Sequence, residues 1–267
     1  MPDRVRLLFL GDIIGRPGRQ AMRRLLPGLV KRYDPTLIIA NGENAAGGVG
    51  LTEKVAQELF EYLDVITSGN HIWDKKEILP HLDKNTRILR PANYPPGSPG
   101  QGTAVVEDKA GFSVAVLNLQ GRVFMEPIDC PFRQADEEIV RLREKTPVII
   151  VDFHAEATSE KQAMGWYLDG RVSAVLGTHT HVPTADGRVL PQGTAFVTDV
   201  GMVGGLDSVI GVRREQALQR FISGRPQRFE PAKGRLVMMA AYVEIDPATG
   251  KALTIKTEVV EEESEAS

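Results

Sequence analysis

Four of the chain's five histidines lie in three short segments, Gly69-Asn70-His71, Asp152-Phe153-His154 and Gly177-Thr178-His179-Thr180-His181. Imidazole nitrogens bind metals and carry protons, so the side chains that accompany them decide the chemistry. Carboxylates and amide oxygens come from two further segments, Gly11-Asp12-Ile13-Ile14-Gly15 and Asn41-Gly42-Glu43-Asn44. Nitrogen and oxygen donors without thiolate suit Mn, Fe or Zn, and a carboxylate can bridge two such ions. Taken singly, Asp12 or Asn70 reads as a turn residue and His154 as a core histidine. Taken together, five segments in equivalent settings read as the donor set of a first-row dimetal centre.

The equivalence lies in what precedes each segment. Short apolar, β-branched runs end at Leu10, Ala40, Ser68, Val151 and Leu176. Such runs are buried strands, and open α/β sheets bind ligands at the carboxyl ends of their strands. Strands are expected at 5–10, 36–40, 64–68, 147–152 and 172–176. Helical patterns fall at about 17–33, 52–63, 134–145 and 157–169, with a helical turn near 75–82. Pro27-Gly28 is expected to kink or split the first helix. This alternation predicts sheets covered by helices. In the middle, Thr103 to Glu107 and Phe112 to Asn118 flank Asp108-Lys109-Ala110-Gly111 as an antiparallel hairpin, and 194–198, 235–245 and 252–260 form a β-rich end. The chain reads as one domain over 1–260. A glycine-rich segment around 201–234, with one helical pattern from Arg214 to Phe221, reads either as a long surface loop or as an insertion that covers the site or makes an oligomer contact. An acidic tail, 261–267, is expected to be disordered.

Composition narrows the function classes. The chain has 267 residues, 42% of them hydrophobic, enough for a sizeable core. Its formal net charge is -3 and no basic stripe interleaved with aromatics is present, which disfavours an extended nucleic acid as partner. Arg16, Arg19, Arg23 and Arg24 decorate one helix face. A single cysteine, Cys130, excludes an intrachain disulfide and fits a reducing cytosol; it reads as a small packing residue. No apolar run approaches a membrane span, so a cytoplasmic protein is expected.

The order Asp12, Asn70-His71, His154, Gly177-Thr178-His179-Thr180-His181 resembles the calcineurin-like metallophosphoesterases. Two departures stand out: Ile14 occupies the position of the family's histidine in Asp-x-His, and Glu43-Asn44 replaces a bridging aspartate. With Asn41 to Gly48, Asp152 to Lys161 and Thr198-Asp199-Val200-Gly201-Met202, these departures resemble the YmdB-type subfamily over nearly the whole chain. The resemblance implies an α/β class fold, a four-layer α/β/β/α sandwich with two mixed sheets. It also implies a phosphodiesterase acting on 2′,3′- or 3′,5′-cyclic nucleotides with two Fe or Mn ions, or Zn.

Carried over residue by residue, the resemblance assigns Asp12, Glu43, Asn44 and His181 to one metal. It assigns Glu43, Asn70, His154 and His179 to the other, with Glu43 as the bridge and Asn44 in place of the histidine lost at Ile14. Hydroxide generated between the ions would attack phosphorus in line, and His71 would protonate the leaving oxygen. Asp74 either orients the His71 ring or caps a helix starting at Lys75. Glu156 is either a partner of a ligand histidine or a helix-start acid. Arg122 contacts a substrate phosphate or only solvent; Asn93 and Tyr94 contact a base or anchor a loop. His81 belongs on a surface helix. A phosphomonoesterase, a nuclease and a metal-binding regulatory protein acting through a partner are the alternative readings, and a homo-oligomer is compatible with all of them.

Overall fold

The computed structural model describes residues 4–263. In chain order the first half comprises β1 (Val5–Leu10), β2 (Asp12–Ile13), α1 (Gly15–Tyr33), β3 (Leu37–Asn41), α2 (Glu53–Leu59), β4 (Val65–Thr67) and a short α3 (Leu79–Leu82). There follow β5 (Thr103–Glu107), β6 (Ser113–Gln120), α4 (Pro131–Arg143), β7 (Ile149–His154), α5 (Thr158–Leu168), β8 (Ala174–Thr178), β9 (Arg188–Val189) and β10 (Ala195–Val197). The chain closes with β11 (Met202–Gly205), α6 (Arg214–Ser223), β12 (Leu236–Ile245) and β13 (Ala252–Glu261).

Alternation along β1 explains the layering. Side chains in a strand point to opposite faces in turn, so the unbroken apolar run Leu7–Leu10 must be covered on both sides. Leu8 and Leu10 join a core with Met22, Leu26 and Leu29 of α1. Leu7 and Phe9 enter a second core shared with Val116 of β6, Ile150 of β7 and Leu176 of β8. The other faces of those strands, through Leu117, Ile149 and Val175, pack on Ile139 of α4 and Met164 of α5. Two sheets therefore lie face to face with helices outside each, the expected four-layer α/β/β/α sandwich. Phe9 is fully buried at its centre; truncating such a residue to alanine costs about 3–5 kcal/mol through the cavity it leaves.

The first sheet has the order β2-β11-β12-β1-β3-β4, with β13 on β12; the second is β5-β6-β7-β8-β10-β9. Both are mixed: β1 runs parallel to β3 but antiparallel to β12, and β6 runs parallel to β7 but antiparallel to β5.

Several expectations are corrected. Pro27 does not split α1, because Pro27 and Gly28 lie on its exposed face while Leu26 and Leu29 on either side hold the helix to the sheet. Strand β7 runs two residues further than expected, so His154 ends the strand itself. The segment at 201–234 is not wholly an excursion: its first residues form β11, which pairs with both β2 and β12. Strand β13 reaches Glu261, and Glu262 pairs with Arg24 and accepts from the Leu236 amide, so the chain is ordered beyond the expected start of the tail. Positions 264–267 lie outside the described residues. No helix among the described residues is long and apolar enough to cross a membrane.

Candidate metal centre

The centre sits at the seam between the sheets. Sheet one delivers Asp12 beyond β1, Glu43 and Asn44 beyond β3, and Asn70 and His71 beyond β4; sheet two delivers His154 at the end of β7 and His179 and His181 beyond β8. The two strand ends can approach this closely only because Gly69 has no side chain: a Cβ there would lie 2.1 Å from the His154 ring.

All seven expected ligand residues come together, in two overlapping groups. In one, His154 Nε2 lies 3.1 Å from Glu43 Oε1, 3.3 Å from Asn70 Oδ1 and 3.0 Å from His179 Nδ1. In the other, His181 Nε2 lies 3.7 Å from Asp12 Oδ1 and 3.4 Å from the Asn44 amide, which is 3.3 Å from Glu43 Oε1. Rotating the Asn44 amide presents its oxygen instead of its nitrogen to the same space. Ligand bonds of about 2.1 Å set neighbouring donors on one cation ~3 Å apart, so the first group has the spacing of a coordination shell.

Each imidazole has one nitrogen committed outward. His154 Nδ1 lies 2.9 Å from Thr178 Oγ1, His179 Nε2 is 3.0 Å from Glu156, and His181 Nδ1 donates to the Ile210 carbonyl at 2.8 Å. Such outer partners fix the tautomer and aim the other nitrogen inward. Glu156 is thus a partner of His179 rather than a helix-start acid.

The charge balance favours a cation. Asp12 and Glu43 are fully buried, and Asp12 Oδ1 has no hydrogen-bond partner among the described residues. Burial pushes the Asp12 carboxyl up, but the His181 imidazolium overrides it and holds its pKa at about 2. Burial pushes His181 down, and the Asp12 charge overrides that too, raising it to about 9. Burial likewise opposes ionisation of Glu43 and His154, yet each favours the other's charged form, lowering Glu43 and raising His154. Burial and then the neighbouring His154 charge drive His179 down to about 3. Two buried carboxylates therefore draw positive charge to this point, and the residues fit bound cations.

His71 is arranged differently. Its backbone N–H donates to Glu43 Oε2 at 3.0 Å, while its half-exposed ring places Nδ1 2.7 Å from Asp74 Oδ2. Asp74 orients the ring, settling the two readings of that residue, and Nε2 makes no hydrogen bond among the described residues. Asn93 is a loop anchor, not a base contact: buried, it donates to the Gln120 and Asp129 carbonyls and accepts from the Gln120 amide. The Tyr94 hydroxyl meets Gln120 Oε1 at 3.2 Å, and its ring meets Trp73 edge-on. His81, on α3, pairs with Glu53 at 3.1 Å. Arg122 is held through its backbone, whose N–H donates to Glu160.

Two supporting groups lie outside the expected set. Beneath His154, the buried Asp152 accepts from Thr67, Thr178 and Asn41; burial pushes its pKa up to about 7. Beside the histidine loop, buried Lys161 on α5 pairs with Asp199 at 2.6 Å, and Asp199 also accepts from the Thr180 amide and hydroxyl. Thr180 stands between His179 and His181, both at positive φ (99° and 64°), which is unusual for residues bearing a Cβ. Lys161 and Asp199 fall within segments that carry the family resemblance, but nothing in the sequence pairs them; only the long-range fold brings them together.

A two-sheet sandwich with His, Asp, Glu and Asn converging at the strand ends defines a calcineurin-like metallophosphoesterase fold. The sequence model of the YmdB-like proteins matches residues 8–257, and the chain belongs to that family. It is 51% identical over 253 residues to a 2′,3′-cyclic-nucleotide 2′-phosphodiesterase of Bacillus subtilis (strain 168), covering 94% of this chain and 96% of that one. It is 38% identical over 269 residues to a putative phosphatase/phosphodiesterase of Mycoplasma pneumoniae, covering 97% and 94%. A crystal structure of a hypothetical protein from Thermus thermophilus superposes with a TM-score of 0.89 at 46% identity, covering 97% of this chain and 100% of that one. The family implies divalent metal ions, and Glu43, His154 and His179 form a cluster able to hold one.

Proposed function

We propose that this protein hydrolyses small cyclic phosphodiesters, 2′,3′-cyclic nucleotides foremost, at a two-metal centre with His71 as proton donor. One observation carries the reading: Glu43 turns Oε1 to the His154 and Asn44 donors and Oε2 to the backbone of His71, joining both metal groups and the acid at one residue. The activity for which the Bacillus relative is named, at 51% identity, supports the substrate class.

Asp12, Glu43, Asn44 and His181 would hold one ion, and Glu43, Asn70, His154 and His179 the other, Fe or Mn before Zn. Bound there, the ions supply Lewis acidity toward the phosphoryl oxygens and an activated water. The chain's own residues do the rest. Water adds to phosphorus and releases one proton to solvent, the bond to O2′ breaks, and a 3′-monophosphate results. His71 Nε2 gives its proton to O2′ while Asp74 steadies the imidazolium through Nδ1, a role typically worth ~10²–10⁴ in rate. A purely regulatory metal protein has no use for an oriented acid beside the metal, and a polynucleotide needs a basic track that a chain of net charge -3 does not offer. The setting proposed is cytoplasmic, and exposed Leu218, Phe221 and Ile222 on α6 support self-association of that arm, which sedimentation tests.

Specificity constants with added Mn²⁺ test the substrate assignment. A 2′,3′-cyclic nucleotide should exceed a 3′,5′-cyclic nucleotide, a monoester and a single-stranded oligonucleotide, with loss of turnover on chelation. A wide advantage for the oligonucleotide or the monoester would overturn it.

A further inference from the structure

The segment after β6 contains a residue whose conformation and exposure both run against its type. Phe124 has φ 61° and is 89% exposed, more than any other large apolar side chain among the described residues. It occupies the third position of a turn closed by the Met125 amide donating to the Arg122 carbonyl at 3.3 Å, where a positive φ normally calls for glycine or asparagine. A bulky side chain held there is strained, and such strain persists only where surrounding contacts impose it.

Those contacts are specific. Buried Glu160 of α5 accepts from the Arg122 and Val123 amides at 3.1 Å. One residue earlier, the Gly121 amide donates to the His154 carbonyl at 2.9 Å, and a Cβ on Gly121 would strike Ala155 and Glu160 at 2.6 Å. The turn is therefore clamped three residues beyond a contact with a metal-centre residue. Further along the same segment, the Asp129 carbonyl accepts from Asn93 Nδ2 at 2.9 Å, and the neighbouring Tyr94 hydroxyl meets Gln120 Oε1 at 3.2 Å. The Arg122 side chain makes no hydrogen bond or ion pair among the described residues, so the turn displays one free guanidinium and one free phenyl ring.

A nucleotide presents an anion and an aromatic base. We propose that Phe124 is the base-binding residue of this site, its ring held out at the rim of the centre to stack on the nucleobase while Arg122 faces the phosphate side. This rests on the proposed function and deepens it. Stacking on an aromatic side chain is tolerant of base identity and favours larger rings, so purine substrates should have lower KM than pyrimidine ones.

The test compares adenosine 2′,3′-cyclic phosphate with the cyclic phosphate of methyl riboside, which lacks a base. In Phe124→Ala the ratio of their specificity constants should fall roughly tenfold or more, through KM. Phe124→Trp should keep the ratio. Phe124→Gly should lower the ratio while raising Tm, because glycine accepts the positive φ. An unchanged ratio in the alanine and glycine variants overturns the proposal, as does an equal loss on both substrates with a lowered Tm, which would make the ring a packing element. Calorimetric binding of adenosine 3′-monophosphate against inorganic phosphate reads the same contact without turnover. If wild type fails to hydrolyse cyclic nucleotides yet binds the adenosine compound through Phe124, the reaction assignment falls and the base contact stands; if Phe124→Ala leaves that binding unchanged, the base contact falls.

Discussion

At the residue scale, the side chains proposed to hold cations differ in setting from the one proposed to move a proton. His154 is fully buried with Nε2 among three donors, whereas His71 is half-exposed and tied to Asp74. His71→Ala should therefore retain its metal and lose ~10²–10⁴ in kcat, and a diester with a leaving group of low pKa should recover much of that loss. His154→Ala should lose metal first, by elemental analysis. Metal loss in the His71 variant alone would reverse the two roles. Glu43 and Asn44 separate in the same way. Glu43→Ala should deplete both ions because both groups use its Oε1, while Asn44→Ala should weaken only the group containing Asp12. Equal depletion in the two variants would count against Glu43 as the bridge. The donor types were legible in sequence because ligand chemistry belongs to the side chain itself. The partners Asp74 and Glu156 were legible only as open questions, since a carboxylate at such a position caps a helix as readily as it orients a ring.

At the element scale, the histidine loop after β8 is held by α5. Lys161 and Asp199 are each about 1% exposed, and Asp199 grips Thr180 between two histidines at positive φ. Lys161→Met would leave a buried, uncompensated carboxylate, a change that costs about 3–5 kcal/mol. Urea denaturation should show that loss, together with a lower metal content. Adding Asp199→Asn removes the unpaired charge, so stability should return; metal content should not, because the grip on Thr180 is weakened. Full recovery of metal in the double variant would show that the pair serves packing alone. The elements themselves were mostly legible: β1, β3, β4, β7 and β8 appear as apolar runs with the ligands at their ends. Strands β2, β9 and β11 were not, because two to four residues carry no periodicity and exist only through their pairing partners.

At the scale of the whole molecule, the centre joins two sheets that otherwise meet through a core. Asp12, Glu43, Asn44 and Asn70 come from one, His154, His179 and His181 from the other. Cations that bind only this assembled seam must stabilise the fold by mass action, about 2.7 kcal/mol at a hundred times Kd. For a chain of this size that corresponds to a rise in Tm of roughly 5–10 °C. Scanning calorimetry after dialysis against a chelator, and again after Mn²⁺ is restored, should show that difference reversibly. An identical Tm in both states would mean that the seam is held without the ions.

The sequence by itself determined the donor inventory, the strand ends that carry it and the layered α/β class. Side-chain chemistry and hydrophobic period are local properties, readable wherever they occur. Tertiary structure alone decided which ring nitrogen faces inward, which acid steadies which histidine, and that Phe124 stands exposed on a clamped turn. Those features depend on contacts such as the Asp12 carboxylate with the His179 amide, 167 positions away. No local pattern encodes such a contact, because it exists only once both sheets have formed and brought their carboxyl ends to one seam.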